Sequence, residues 1–236
     1  MNRVPSLMLS LLSFFSNFRG TPHQLAAIKE LEDSIPPEHL SRDALWFQTW
    51  KTSGISRKTD VPYVHQLNFR NDGYRRCLDA SAAMVAMMYG VVSSAEEYGI
   101  LRASFGDTTD VIAHVKTLRS LGLHAQFIND ADGTVIEAET QAHRVVLVGF
   151  LHHGDFSRGE PPMCDSYGCG HWAVVTGYEG SDFYVLNDPM GAPSMEKGGH
   201  ATRYGGHAVR VSRQTFDMRW QVEGPSSGWA ILIDNE

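Results

Sequence analysis

Along residues 1–55, apolar positions return every three or four residues. Leu7, Leu11, Phe14, Phe15 and Phe18 share one helical face, and Leu25, Ile28, Leu31 and Ile35 repeat the pattern behind Thr21-Pro22-His23. Pro36-Pro37 breaks this run, and Ser41 is placed to cap a further short helix ending near Trp50. A polar stretch with Gly and Ser, 51–60, then marks a boundary. From Val61 the pattern changes. Val61-Pro62-Tyr63-Val64 is extended, and a loop rich in Asn, Asp and Gly runs to Arg76. The run from Cys77 to Met88, rich in Ala and Met and followed by Gly90, predicts a helix that begins at a thiol. Thr109 is predicted to cap a helix carrying Val111, Ile112, Val115 and Leu118, stopped by Gly122. A strand at Ala125–Ile128, a helix over Thr134–Ala142 and a buried-type strand at Val145–Leu151 follow. The last third is β-like, with runs at Trp172–Thr176, Phe183–Leu186, Ala208–Val211 and Trp229–Ile233, and a helix over Ser212–Trp220. Helices first and strands later, without βαβ alternation, predict an α+β fold in which a helical half faces an antiparallel sheet.

The 236 residues, 42% of them hydrophobic, are enough for one good-sized domain with an extension. The expected division is a helical N-terminal extension over 1–55 and a second, larger domain over 61–236. A net charge of −7, with basic residues scattered rather than striped, argues against a nucleic-acid partner. No P-loop or dinucleotide fingerprint is present, and no cofactor is predicted. The apolar segment within residues 7–18 is too short to span a membrane, which takes about 20 apolar residues. It reads as an amphipathic helix that docks on a protein or membrane, in preference to an uncleaved export signal.

The candidate chemistry starts from Cys77. A cysteine in the first turn of a helix lies among unpaired backbone N–H groups at the positive end of the macrodipole, which favours thiolate. Far downstream, His171 opens the apolar run Gly170-His171-Trp172-Ala173-Val174-Val175-Thr176-Gly177-Tyr178, where Gly170 is expected to allow close backbone approach. Asp188, in Asn187-Asp188-Pro189, ends the next run after the Gly180-Ser181-Asp182 turn. A hairpin there brings 171 and 188 together, so that a carboxylate, or Asn187 beside it, orients the imidazole. Gln66 lies upstream of Cys77 and offers an amide to an oxyanion hole together with the Cys77 backbone N–H.

These motifs resemble the C39-like peptidases of the papain-like fold, in particular stand-alone members from bacteriophages and bacteria. Tyr98–Asp110, Val148–Gly154 and Arg219–Gly224 add to the likeness, which spans about Val61 to Ile233. The resemblance implies Cys77 as nucleophile, His171 as base, Asp188 as orienting acid and Gln66 as oxyanion donor. Two departures stand out: many relatives have Gly where this chain has Leu78, and the gap from Gln66 to Cys77 is longer than in transporter-linked members. Thr21–Ile28, with Trp46 downstream, looks like the helical lead-in of phage lysis and virion proteins. The implied activity is thiol-dependent peptide hydrolysis, with peptidoglycan as the phage-type substrate and the bacterial cell wall as the place of action. The alternatives are leader-peptide or protein processing, and a non-catalytic virion or binding component on the same scaffold.

A metal reading competes locally, because His152, His153, Cys164, Cys169 and His171 crowd one region. The Cys-x4-Cys spacing is looser than most zinc knuckles; two free thiols are the preferred reading, a disulfide between Cys164 and Cys169 the next, and no metal is assigned.

Overall fold

The structure is a computed structural model that describes residues 56–57, 61–69, 72–164 and 170–235. All of these belong to one compact unit, Ser53–Glu236. The helices expected over 1–55 and the docking segment at 7–18 lie outside the described residues.

The elements run β1 (Ser56–Arg57), α1 (Cys77–Met88), α2 (Ala95–Ala103), α3 (Val111–Ser120), β2 (His124–Ala131), α4 (Gly133–Gln141) and β3 (Val146–Phe150). They continue with β4 (His171–Glu179), β5 (Phe183–Asn187), β6 (Ala192–Pro193), β7 (His200–Thr202), β8 (Val209–Ser212), α5 (Arg213–Trp220) and β9 (Gly228–Asp234). Six strands form the sheet in the order β2-β9-β3-β4-β5-β8, with β1 paired to β4, and β6 and β7 make a separate hairpin. Every strand pair is antiparallel. The expected α+β architecture, with the thiol-bearing helix packed against an antiparallel sheet, is what the structure shows.

One feature differs from the two-sided picture of helices facing a sheet. The sheet is covered on both faces. Leu147, Trp172 and Val174 pack with α1, Tyr98 of α2 and Leu118 of α3, whereas Val146, Val148, Ala173 and Val175 pack with Ile136 of α4 and Phe216 and Trp220 of α5. That double burial is why β3 and β4 read as continuous apolar runs instead of alternating ones.

Helix α1 is buried almost all round, from Leu78 to Ala86. Its alanines let the backbone approach the sheet closely, and its end follows the expected signal. Gly90 takes φ +69°, Val91 N donates to Ala86 O and Gly90 N to Met87 O, which together make a Schellman stop. Helix α3 begins one residue later than Thr109 suggested. Asp110 is the cap, accepting from Ile112 N at 2.9 Å, because Thr109 is drawn away to Asp107 Oδ1 at 2.7 Å. Helix α2 went unpredicted, although its start is legible: Ser94 Oγ accepts from Glu97 N, and Glu97 reaches back to Ser93 N.

Two residues beyond Cys77, a buried ion cluster fixes α1 to α2 and α3. Asp79 is fully buried and accepts from Arg102 Nε and Nη2 at 2.9 and 3.0 Å, Arg76 Nη1 at 2.8 Å and Thr108 Oγ1 at 2.7 Å. His114 closes the cluster: its Nε2 donates to Thr108 O, so Nδ1 accepts from Tyr98 OH. Burial, foremost, lowers the His114 pKa and keeps the ring neutral. Removing Asp79 leaves the Arg102 guanidinium buried without its anion. Asp79→Ala is therefore expected to lower unfolding stability by about 3–5 kcal/mol. Urea denaturation of Asp79→Ala beside an Asp79→Leu/Arg102→Met double variant is the measurement. The double variant should recover most of the loss, and equal losses in both would show that the ion pair is not what holds α1 in place.

Candidate active site

Cys77 is the first residue of α1, and no side chain caps that helix start. The first intrahelical bond runs from Ala80 N to Arg76 O, so the N–H groups before it have no partner in the helix ladder. The sulfur sits where this end of the helix meets the start of β4. Ser81 Oγ, one turn along α1, donates to Trp172 O at 3.1 Å and pins the cysteine helix to the strand that begins at His171. Cys77 is a free thiol, and Cys164 is disulfide-bonded. Cys169, its candidate partner, lies outside the described residues. A thiol consumed in a disulfide is not a zinc ligand, so Cys164 does not serve as one.

His171 pairs with Phe150 across β3 and is 3% exposed. Gly170 before it takes φ +88°, and a Cβ there would meet only Phe150 O at 3.6 Å. The glycine is therefore required by its left-handed backbone, not by close approach as its position first suggested. The β4–β5 hairpin sets Val174 opposite Asn187 and delivers Asp188 to the imidazole. His171 Nε2 donates to Asp188 Oδ1 at 2.8 Å. Nδ1 is left for the Cys77 thiol, which also hydrogen-bonds the ring. Burial by itself would depress the His171 pKa. The Asp188 charge and hydrogen bond, followed by those of Cys77, reverse that and raise it to about 10. For Asp188, burial works upward, but the two histidines outweigh it and hold the carboxyl well below its ordinary value. At neutral pH the pair is imidazolium and carboxylate, and the positive ring faces the sulfur.

Asn187 does not share this role. Its Oδ1 accepts from Ala208 N and its Nδ2 reaches Val61 O, so it ties the hairpin to neighbouring loops. Gln66 is 2% exposed and lies between the two halves of the site. Its backbone N donates to Pro189 O at 2.8 Å, and its Nε2 donates to Gly73 O at 2.9 Å in the turn that leads into Cys77. The second Nε2 hydrogen remains available, while Oε1 is buried without a partner.

The structure adds residues that sequence reasoning did not single out. His200, on β7, also donates through Nε2 to Asp188 Oδ1, at 3.1 Å, and Met190 N donates to the same oxygen at 2.9 Å. Asp188 Oδ2 is buried with no partner. His152 lies with its ring centroid 5.2 Å from His171 and 5.7 Å from His200. Burial first, then the charges of the neighbouring histidines, lowers its pKa to about 2, so it stays neutral. Arg219, fully buried in α5, donates to Met195 O, His153 O and Gly154 O at 2.7–2.8 Å and fastens the two loops that carry His152 and lead to His200. The only sequence signal for His200 was its place behind Gly198-Gly199, which marks a turn and no chemistry. Beside Gly170 opens a pocket of about 230 Å³ walled by Gly149, Leu151, Trp172, Trp220 and Trp229.

No protein-family model matches the chain, and no curated protein matches it in sequence. Among solved structures, the chain is similar to a double glycine motif protease from an AMS/PCAT transporter in complex with its leader peptide. That likeness has a TM-score of 0.45 and 19% identity, covering 75% of this chain and 93% of that one. It is also similar to the peptidase domain of Streptococcus ComA, a bifunctional ABC transporter involved in quorum sensing. There the TM-score is 0.45 and the identity 21%, with 69% of this chain and 93% of that one covered.

Proposed function

We propose that this protein hydrolyses peptide bonds with Cys77 as nucleophile. The observation that carries the reading is the continuous relay from the helix-start thiol through His171 to the buried Asp188. The Cys77 thiolate attacks the scissile carbonyl carbon, and the resulting oxyanion lies among the Cys77 backbone N–H and the free N–H of Gln66. Imidazolium His171 gives its Nδ1 proton to the leaving amine as the C–N bond breaks, leaving a thioester. Neutral His171 then takes a proton from water, the hydroxide adds to the thioester, and collapse returns the thiolate and the imidazolium. Asp188 holds Nε2 throughout, which keeps Nδ1 directed at the sulfur. The pocket beside Gly170 offers aromatic walls to a substrate side chain.

For substrate, we favour a protein or leader peptide over a peptidoglycan cross-link. The net charge of −7 does not suit an anionic wall surface. A double-glycine leader, the ligand class named for one structural neighbour, supplies the test peptide. Incubation with that peptide and with purified peptidoglycan, followed by mass analysis of the products, separates the two substrates. Release of wall fragments with the leader left intact would reverse the preference.

Cys77→Ala is expected to abolish turnover and iodoacetamide labelling without lowering thermal stability, whereas Cys164→Ala retains turnover. Near wild-type hydrolysis by Cys77→Ala would overturn the mechanism.

The His171 pKa sets the pH response. It is raised from 6.5, so the imidazolium's contribution to stability is complete below about pH 6.5 and is lost as pH rises through about 10. The Asp188 contribution has the opposite sense: it is present above the ordinary value of 3.8 and lost as pH falls below it. The alkaline limb of kcat/KM should therefore fall near pH 10 in the wild type. Asp188→Asn removes the charge that most raises His171, so that limb should move down by roughly 1–3 pH units. An unmoved limb would place the origin of the raised pKa elsewhere.

A further inference from the structure

We propose that His171, Asp188 and His200 form a Zn²⁺ site whose occupation switches the thiol centre off. The two Nε2 atoms converge on one carboxylate oxygen, at 2.8 and 3.1 Å, and one donor atom from each of the three residues lies within 4.8 Å of the others. Two imidazole nitrogens and a carboxylate are an ordinary zinc donor set with an open fourth position. Ligands on tetrahedral zinc stand about 3.3 Å apart, so each His–Asp pair, at 2.8 and 3.1 Å, needs to open by only a few tenths of an ångström. The proton-filled arrangement is lopsided. Oδ1 takes three donors, while Oδ2 is fully buried and takes none. A cation held by both oxygens satisfies that orphan atom, which no hydrogen bond in the site does. A third imidazole is close by: the His152 ring centroid lies 5.2 Å from His171 and 5.7 Å from His200, and its Nδ1 is likewise buried without a partner. His200 is the member with a side chain still 11% exposed, on the short β6–β7 hairpin, and is the side from which an ion enters.

Zinc takes the Nε2 lone pairs of both rings, and the two protons that pointed at Asp188 are released to solvent. His171 then keeps one proton, on Nδ1, and is locked in that form. It is a poor acid toward a leaving amine and has no free nitrogen with which to accept a proton from water. The binding half of the proposal stands on the cluster geometry alone, whereas the inhibitory half rests on the peptidase reading.

The test is a Zn²⁺ titration by calorimetry on the full-length Cys77→Ala protein, where the thiol offers no competing ligand. One equivalent should bind, and adding His200→Ala or His200→Gln should weaken that binding more than about 100-fold, beyond the usual effect of an outer-shell change. His143→Ala serves as the control and should change nothing. X-ray absorption of zinc-loaded Cys77→Ala should show nitrogen and oxygen neighbours near 2.0–2.2 Å and no sulfur. This reads the site without any His200 variant, should those fold poorly. Absence of binding, or binding indifferent to His200, overturns the site. Zinc that binds Cys77→Ala but leaves wild-type hydrolysis unchanged overturns the switch. A wild type that hydrolyses no peptide at all overturns the peptidase reading and leaves the titration result standing.

Discussion

The arrangement depends on one buried carboxylate. Asp188 has no exposed surface, yet it carries a full negative charge because two imidazoles and a backbone N–H converge on Oδ1. An isolated carboxylate in such a place would be forced to protonate. Here the cost of burial is offset by making the neighbouring ring cationic, and that ring is the one facing Cys77. The hairpin turn, the left-handed Gly170 and the backbone bonds of Gln66 to Pro189 and of Asp188 to Gly206 all bear on where this oxygen sits. Tyr63 adds a hydrogen bond to the Asp188 carbonyl, and burial followed by the nearby carboxylate raises its own pKa to about 12, so it remains a donor.

A second buried carboxylate does the corresponding work on the helical side. Asp79 gathers Arg76, Arg102 and Thr108 and so sets the depth at which α1 enters the core. The Ser81 bond to Trp172 O then couples that depth to the origin of β4. The thiol and the imidazole therefore come from elements that have separate polar anchors and also pack against each other through the core. The site inherits the rigidity of both, which is what a relay sensitive to tenths of an ångström requires.

Much of this was legible in the chain. Cys77 at a helix start, His171 at a strand start and Asp188 across a tight turn follow from helix propensity, strand patterning and turn residues, each within a few positions. The residues that escaped notice share a physical reason. His200 acts through a hairpin only two and three residues long per strand, too brief to produce a period. Arg219 and Asp79 are charged residues at fully buried positions; the backbone carbonyls around Arg219 and the distant Arg102 and Thr108 that join Arg76 on Asp79 leave no local pattern. The two-faced burial of the sheet was hidden for a related cause: a strand covered on both sides looks, residue by residue, like any apolar run.

The guanidinium of Arg219 hydrogen-bonds its two loops through main-chain oxygens, with the Phe156 ring 4.4 Å away on its face. Peptide carbonyls are the same whatever side chain they carry. These bonds at 153, 154 and 195 thus depend on place in the chain and not on side-chain identity, although Met195 is also buried in the core, the His153 ring packs on His152 and Gly154 needs its positive φ. Exposed side chains along these two loops can change over generations while the spacing of the histidines beneath stays put. An insertion or deletion of one residue in either loop has no such licence, since it moves a carbonyl out of the fork. In lineages that share this clamp, variation in these two loops should run through substitution at fixed length.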